Sequence, residues 1–115
     1  RDLQAEAKKK GLPWDAAKAF DGAAPLGAIT PASRVGHPSS GGLFLDVNDE
    51  PRQRGDVASM VFVVPEIIAA LSRLFTLCPG DLIFTGTPAG VAELARGDRF
   101  SAGFPGLASL KGSIA

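Results

Sequence analysis

Glycine and proline decide what this chain can build. The sequence spreads 14 Gly and 9 Pro through 115 residues, and each one breaks or bends a regular element. Only two stretches escape this punctuation long enough to form a helix. In Asp2–Lys10, good helix formers meet an i,i+4 pair, Glu6 and Lys10, in its favourable order. Lys8, Lys9 and Lys10 complement the carbonyl end, Gly11 suits the left-handed position beyond it, and Pro13 forbids continuation. In Pro65–Phe75, Pro65 fits the first helical position and Glu66 the positive end. There Ile67, Ile68, Leu71, Leu74 and Phe75 form an apolar stripe at helical spacing.

The remaining segments read as short strands and loops. Asp15 to Lys18 has room for one short helical turn, with Asp15 as its cap. Leu26 to Thr30 reads as a short strand, and Ala32 to Gly42 as a loop rich in Gly, Pro and Ser. Leu43 to Val47 alternates with the period of a strand. Asn48-Asp49 predicts a hairpin turn, although Asn-Gly would be the stronger signal, and Glu50 to Gln53 predicts the return strand. Pro51 pushes that strand to a sheet edge, and Gly55-Asp56 reads as a further turn. Leu82 to Phe84 predicts a short buried strand that enters the constrained loop Thr85-Gly86-Thr87-Pro88-Ala89-Gly90. Arg99 to Phe104 and Leu107 to Ile114 predict two strands about the Pro105-Gly106 turn. Many short strands with two helices predict a β-rich α+β domain.

Charge and composition exclude several roles. Twelve Lys and Arg offset twelve Asp and Glu, so no net basic field draws in nucleic acid or an anionic membrane. Tyr is absent and Trp14 stands alone, which argues against a stacking platform for single strands. The apolar run Met60 to Pro65 is far short of the ~20 residues that span a bilayer. A single Cys rules out an internal disulfide and points to a reducing, cytoplasmic setting. The opening Arg1-Asp2-Leu3-Gln4, without an initiator Met or signal pattern, suggests a fragment.

Several residues invite chemistry, each with a plain structural alternative. The Thr85–Gly90 loop could present N–H groups and a hydroxyl to an anion, or be a tight turn. No Gly-Lys-Ser/Thr follows it, so it is no nucleotide loop. Lys18 sits among small apolar residues, which suits a buried cation in need of a partner; by composition alone it is a surface lysine. Gln4 offers an amide to a carboxylate or carbonyl, or simply to water. His37, the one histidine, lies in a loop with no nucleophile at a telling spacing. Cys78 reads as a core or turn residue, and Asp46, Asp49 and Glu50 as solvated hairpin carboxylates. No cluster has the spacing of a complete metal site.

Six segments stand in order along nearly the whole chain. They are Arg1-Asp2-Leu3-Gln4, Lys18-Ala19-Phe20-Asp21, Pro25-Leu26-Gly27, Val47-Asn48 with Arg52-Gln53, Met60-Val61-Phe62 with Val64-Pro65-Glu66, and Pro79-Gly80-Asp81 through Phe84-Thr85-Gly86-Thr87-Pro88-Ala89-Gly90-Val91. As an ordered set they resemble the fumarylacetoacetate hydrolase family. Lys8 to Trp14 with Ala17-Lys18 is closest to its acylpyruvase branch, which includes fumarylpyruvate hydrolases and oxaloacetate-decarboxylating members. The resemblance implies rolled, mixed β-sheets with two flanking helices and a homodimer when intact. It also implies a divalent ion, Mg2+ or Mn2+, whose carboxylate ligands precede Arg1, as does the water-activating His–Glu pair. Residues 1–115 thus resemble the C-terminal part of a catalytic domain. Lys18 matches the family's catalytic Lys, and Gln4 and Thr87 match its substrate-contacting Gln and Thr. Arg1 and Asp2 match as orienting residues. Asp49 departs from the usual turn Gly, and Ala32 to Gly42 lacks the usual Asp-Pro-His.

The implied chemistry suits these residue types. Cleaving the carbon–carbon bond of an acylpyruvate with water expels pyruvate as an enolate, whose charge a metal stabilises. A nearby ammonium, that of Lys18, adds to that stabilisation. Thr87 and Gln4 would orient a small 2-oxo acid. Decarboxylation of oxaloacetate yields the same enolate, so a decarboxylase or isomerase on the same scaffold is the alternative. A non-catalytic fragment is a further one.

Overall fold

The hairpin announced by Asn48-Asp49 is the centre of the molecule. In the computed structural model, which describes residues 2–115, β1 (Gly42–Val47) pairs antiparallel with β2 (Glu50–Asp56). Asn48 and Asp49 both take left-handed angles, φ 53° and 67°. That is the pair of positive φ values a two-residue hairpin needs to match strand twist. β3 (Arg99–Phe104) pairs with the other side of β1, and β4 (Ala108–Ser113) with β3. The order is β2-β1-β3-β4, antiparallel throughout. The structure is thus the expected β-rich α+β fold, and the four strands of this chain supply only antiparallel pairs where the resemblance implied mixed sheets. Pro51 lies on the edge strand, as its missing N–H requires.

The turn is tied to the start of β3. Asn48 accepts from the Arg99 N–H through Oδ1 (3.0 Å) and donates through Nδ2 to Asp98 (2.8 Å). The Ala95 N–H, first, and then the Asn48 amide hold the Asp98 carboxyl below its ordinary value. Aromatic rings sit against strand glycines: Phe44 against Gly103, and Phe100 against Gly112. A β-carbon on Gly112 would sit 2.6 Å from the Phe100 ring, so only glycine admits the ring there. Val47, 3% exposed, is the one buried hydrophobic among the described residues.

Helix α1 (Asp2–Lys10) has the expected bounds, and Gly11 ends it at φ 65°. Arg1 lies outside the described residues. A 3-10 turn follows at Asp15–Ala17, where Trp14, not Asp15, occupies the cap position without a side-chain bond. Ala32–Val35, expected as loop, forms a single helical turn, α2, stopped by Gly36 at φ 72°. Helix α3 (Val64–Leu71) opens with the Glu66 carboxylate accepting from the Val63 N–H at 3.1 Å. It is shorter than the expected Pro65–Phe75 because its end tightens. Arg73 and Leu74 donate three residues back, to Ala70 and Leu71, and regular α-geometry stops.

Two expected strands do not form. Leu26–Thr30 is extended but unladdered; it runs beside β4, where Gly27 faces Leu110 and the Thr30 hydroxyl donates to the Leu107 carbonyl at 3.3 Å. Leu82–Phe84 has no strand partner among the described residues, and its ends are open to solvent, Leu82 51% and Phe84 64% exposed. Gly55-Asp56, expected as a turn, instead completes β2, pairing with Leu43 and Gly42.

Candidate active site

The Thr85–Gly90 loop is fastened to β2 by one side chain. Gln53 and Gly55, two residues apart in the regular part of β2, face the same way. Gln53 Nε2 donates to the Thr87 hydroxyl oxygen (2.9 Å) and the Pro88 carbonyl (2.9 Å), and more weakly to the Ala89 carbonyl (3.3 Å). Gly55 makes room for Pro88, since a β-carbon there would lie 3.0 Å from the proline ring. Gly90, at φ 96°, lets the loop land on β2; a β-carbon would collide with the Arg52 carbonyl oxygen.

The fastened loop forms one wall of a groove of about 550 Å³. Leu43 and Arg54 to Asp56 form its floor, and Ser59 to Phe62 with Ile67 its far side. The charged groups of the floor are already engaged. Arg54 binds Asp46 (2.6 Å) and the carbonyls of Leu45 (3.1 Å) and Gln53 (2.8 Å). Asp56 accepts from the N–H groups of Ala58 (2.8 Å) and Gly41 (3.1 Å). The loop therefore brings a hydroxyl to a mostly apolar groove whose Arg54 is ion-paired with Asp46 and whose Asp56 is hydrogen-bonded through Oδ1 to backbone N–H groups.

Thr87 lies at an exposed position on the fastened loop and lines the groove. Lys18 and Gln4 lie on the α1 side of the chain and do not line this groove. Lys18 follows the 3-10 turn and is exposed, the surface alternative of the two its neighbours allowed: the small residues around it do not cover it. Gln4 is half-buried on α1. Neither side chain makes a hydrogen bond or ion pair among the described residues, so both are free to meet a ligand. The segment is anchored by Lys8, whose ammonium sits 4.9 Å from the centre of the Trp14 ring.

The other candidates take plain roles. His37 is exposed in its loop. Cys78 is an exposed turn residue, its N–H donating to Asp81 at 2.7 Å. The hairpin carboxylates are not simply solvated: Asp46 pairs with Arg54 at 2.6 Å and Asp49 with Arg99 at 3.5 Å. Among the described residues no three His, Cys, Asp or Glu side chains come together to hold a metal ion. This part of the chain does not fit a resident divalent cation. Nor is any helix among the described residues long and apolar enough to cross a membrane.

Gln53 is the residue that local reading undervalued. Arg52-Gln53 stands among the motif segments, but nothing in β2 indicates what its amide will hold, because the loop arrives from 34 residues further on. The one available signal was glycine: Gly55 inside a strand marks a close approach by other chain.

Comparison with known proteins agrees with the sequence resemblance. The family model for the fumarylacetoacetate (FAA) hydrolase C-terminal domain matches residues 1–115. The mitochondrial oxaloacetate tautomerase of Homo sapiens is 46% identical over 110 residues, 96% of this chain and 50% of that protein. The fumarylpyruvate hydrolase of Pseudomonas aeruginosa, solved with Mn2+ and pyruvate, superposes with a TM-score of 0.94 at 45% identity, over 100% of this chain and 49% of that one. The maleylpyruvate hydrolase of a Sphingobium strain, solved with manganese and pyruvate, gives 0.72 at 36% identity, over 76% and 33%. The chain spans about half the length of the curated relatives it matches.

Proposed function

The chain belongs to the fumarylacetoacetate hydrolase family, and on that footing we propose that it contributes part of the active site of an enzyme that hydrolyses the carbon–carbon bond of acylpyruvates. The substrate is a 2,4-dioxo acid such as fumarylpyruvate. Water adds to the outer carbonyl carbon, the bond to the adjacent methylene breaks, and pyruvate leaves as its enolate, to be protonated on carbon. One observation carries the reading: the Thr87 loop is clamped on β2 by Gln53 beside an open groove. The chain bearing it matches, along its whole length, a hydrolase solved with pyruvate.

In this reading Thr87 and Gln4 orient the carboxylate and oxo groups of the substrate, which shortens the search for a reactive geometry. The Lys18 ammonium offsets the negative charge that grows on the departing enolate. The intact protein would work with Mg2+ or Mn2+ held by residues other than those described. We further propose that it is a cytoplasmic homodimer that takes small 2-oxo acids.

A second reading, tautomerisation of oxaloacetate, is favoured by the curated relatives that carry that name at 45–46% identity. That reaction moves a proton between carbon and the 2-oxo oxygen and cleaves no carbon–carbon bond. Decarboxylation of oxaloacetate would release carbon dioxide from the same enolate-forming arrangement. Product analysis of the full-length protein with fumarylpyruvate and with oxaloacetate separates these. Release of pyruvate and fumarate is the expected result. Accelerated keto–enol exchange of oxaloacetate without cleavage of fumarylpyruvate would favour the second reading, and turnover of neither substrate would contradict both.

A further inference from the structure

We propose that Gln53 is a positioning residue that aims the Thr87 hydroxyl hydrogen into the groove, where it donates to a carboxylate oxygen of a 2-oxo acid. The proposal rests on the substrate-binding reading of Thr87 and adds what makes that hydroxyl a donor.

The orientation of the Gln53 amide is settled by its neighbours. Two of its three partners are backbone carbonyls, of Pro88 (2.9 Å) and Ala89 (3.3 Å), which can only accept. An amide oxygen turned toward them would meet two lone-pair groups with no hydrogen between. The group facing the loop is therefore the NH2. An amide nitrogen does not accept, so Thr87 Oγ1, 2.9 Å away, is the acceptor in its bond with Gln53. A hydroxyl has a single hydrogen, and here it points away from Gln53.

The same amide also takes up one lone pair of each nearby carbonyl, which makes them poorer partners for the Thr87 hydroxyl. Threonine hydroxyls ordinarily donate to backbone carbonyls close by in their own turn. The carbonyls of Pro88 and Ala89 are the ones Gln53 engages. Arg54 and Asp56, the charged groups of the groove floor, are held by protein partners. What the groove offers an anion at this wall is therefore a neutral, pre-aimed O–H donor. Gln53 is half-buried beneath the loop and does not line the groove, so it acts through Thr87.

The test is a double-mutant cycle in the full-length protein, with calorimetric binding of pyruvate in the presence of Mn2+ as the readout. Gln53→Met keeps the side-chain length, adds no charge and removes the donor. It should weaken pyruvate binding about tenfold, the scale of one lost hydrogen bond to a charged group. Thr87→Val should weaken it by at least as much, and Thr87→Ser should bind as the wild type does. In the Thr87→Val background, Gln53→Met should cost nothing further, because the hydroxyl it aims is gone. Equal additional weakening in that background would mean that Gln53 only supports the loop, and would overturn the proposal. Thr87→Val binding pyruvate as well as wild type would instead remove the substrate-binding reading on which it stands. Should Gln53→Met fail to fold, as judged by its thermal midpoint, the wild type supplies the readout. Its Gln53 side-chain amide protons, observed by NMR with Mg2+ as the cation, should shift on saturation with pyruvate. Unshifted signals would overturn the proposal.

Discussion

Lys18 shows most clearly what one side chain is asked to do. It is exposed and its side chain makes no hydrogen bond or ion pair among the described residues, so its charge is available rather than spent on the fold. An ammonium that meets charge only as the bond breaks stabilises the transition state more than the bound substrate. In the full-length enzyme, Lys18→Met should therefore lower kcat about a hundredfold while KM changes little, as measured by steady-state kinetics. A rise in KM with kcat intact would make Lys18 a binding residue instead. At this scale the sequence was informative about identity and silent about surroundings. The family resemblance singled out Gln4, Lys18 and Thr87, while the small residues beside Lys18 left open whether it is buried or, as the fold has it, exposed. Burial depends on what packs above a residue, and that neighbour is remote in sequence. Asp49 is the counterpart: a short polar side chain adopts φ 67° where glycine was expected, because Asn and Asp tolerate the left-handed region.

The Thr85–Gly90 loop and β2 form one working unit, and glycine tests how they are joined. Gly86 and Gly90 both hold angles that side chains rarely adopt, φ 105° and 96°. Around Gly86 there is open space, whereas a β-carbon on Gly90 would run into the Arg52 carbonyl. Gly86→Ala should thus carry only the conformational cost, about 1–2 kcal/mol. Gly90→Ala should cost clearly more in urea unfolding of the full-length protein, and should also raise KM, because it lifts Thr87 off β2. Equal costs at the two positions would mean that the loop is not pressed against the strand. Local signals served best where an element closes on itself. Helix α1 with its lysine end and Gly11, and the Asn48-Asp49 hairpin, follow from neighbours a few residues apart. They failed where a partner must come from elsewhere. Leu82–Phe84 has the composition of a buried strand, yet composition cannot say which chain will supply its hydrogen bonds. Gly55 read locally as a turn because its real task, admitting Pro88, is set by a residue 33 positions away.

The molecule as a whole carries far more surface than a closed globule of its mass. Its accessible surface is 9093 Å², against about 5,900 Å² expected for a compact monomer of 11.8 kDa. Its radius of gyration is 15.8 Å, against about 13 Å for a compact chain of this length. Val61, Phe62, Leu74, Phe75 and Phe84 are mostly open to solvent. Residues 1–115 expressed alone should therefore melt without a sharp cooperative transition and bind a hydrophobic dye, and should take up Mg2+ weakly, since hard cations need about six or more oxygen ligands. A sharp two-state melt, or tight stoichiometric Mg2+ binding, would contradict this. Surface of this kind was invisible in the composition, because an ordinary apolar fraction says nothing about where the covering partner lies. The same scale decides the functional question, since Thr87 on its loop and Lys18 beyond α1 serve one reaction only if the intact protein brings them to one ligand. A crystal structure of the full-length protein with Mn2+ and pyruvate measures this directly. The account predicts the pyruvate carboxylate within hydrogen-bonding distance of Thr87 Oγ1, and the Lys18 ammonium close to the same molecule. Pyruvate bound with Lys18 and Thr87 directed to opposite sides of the protein would contradict it.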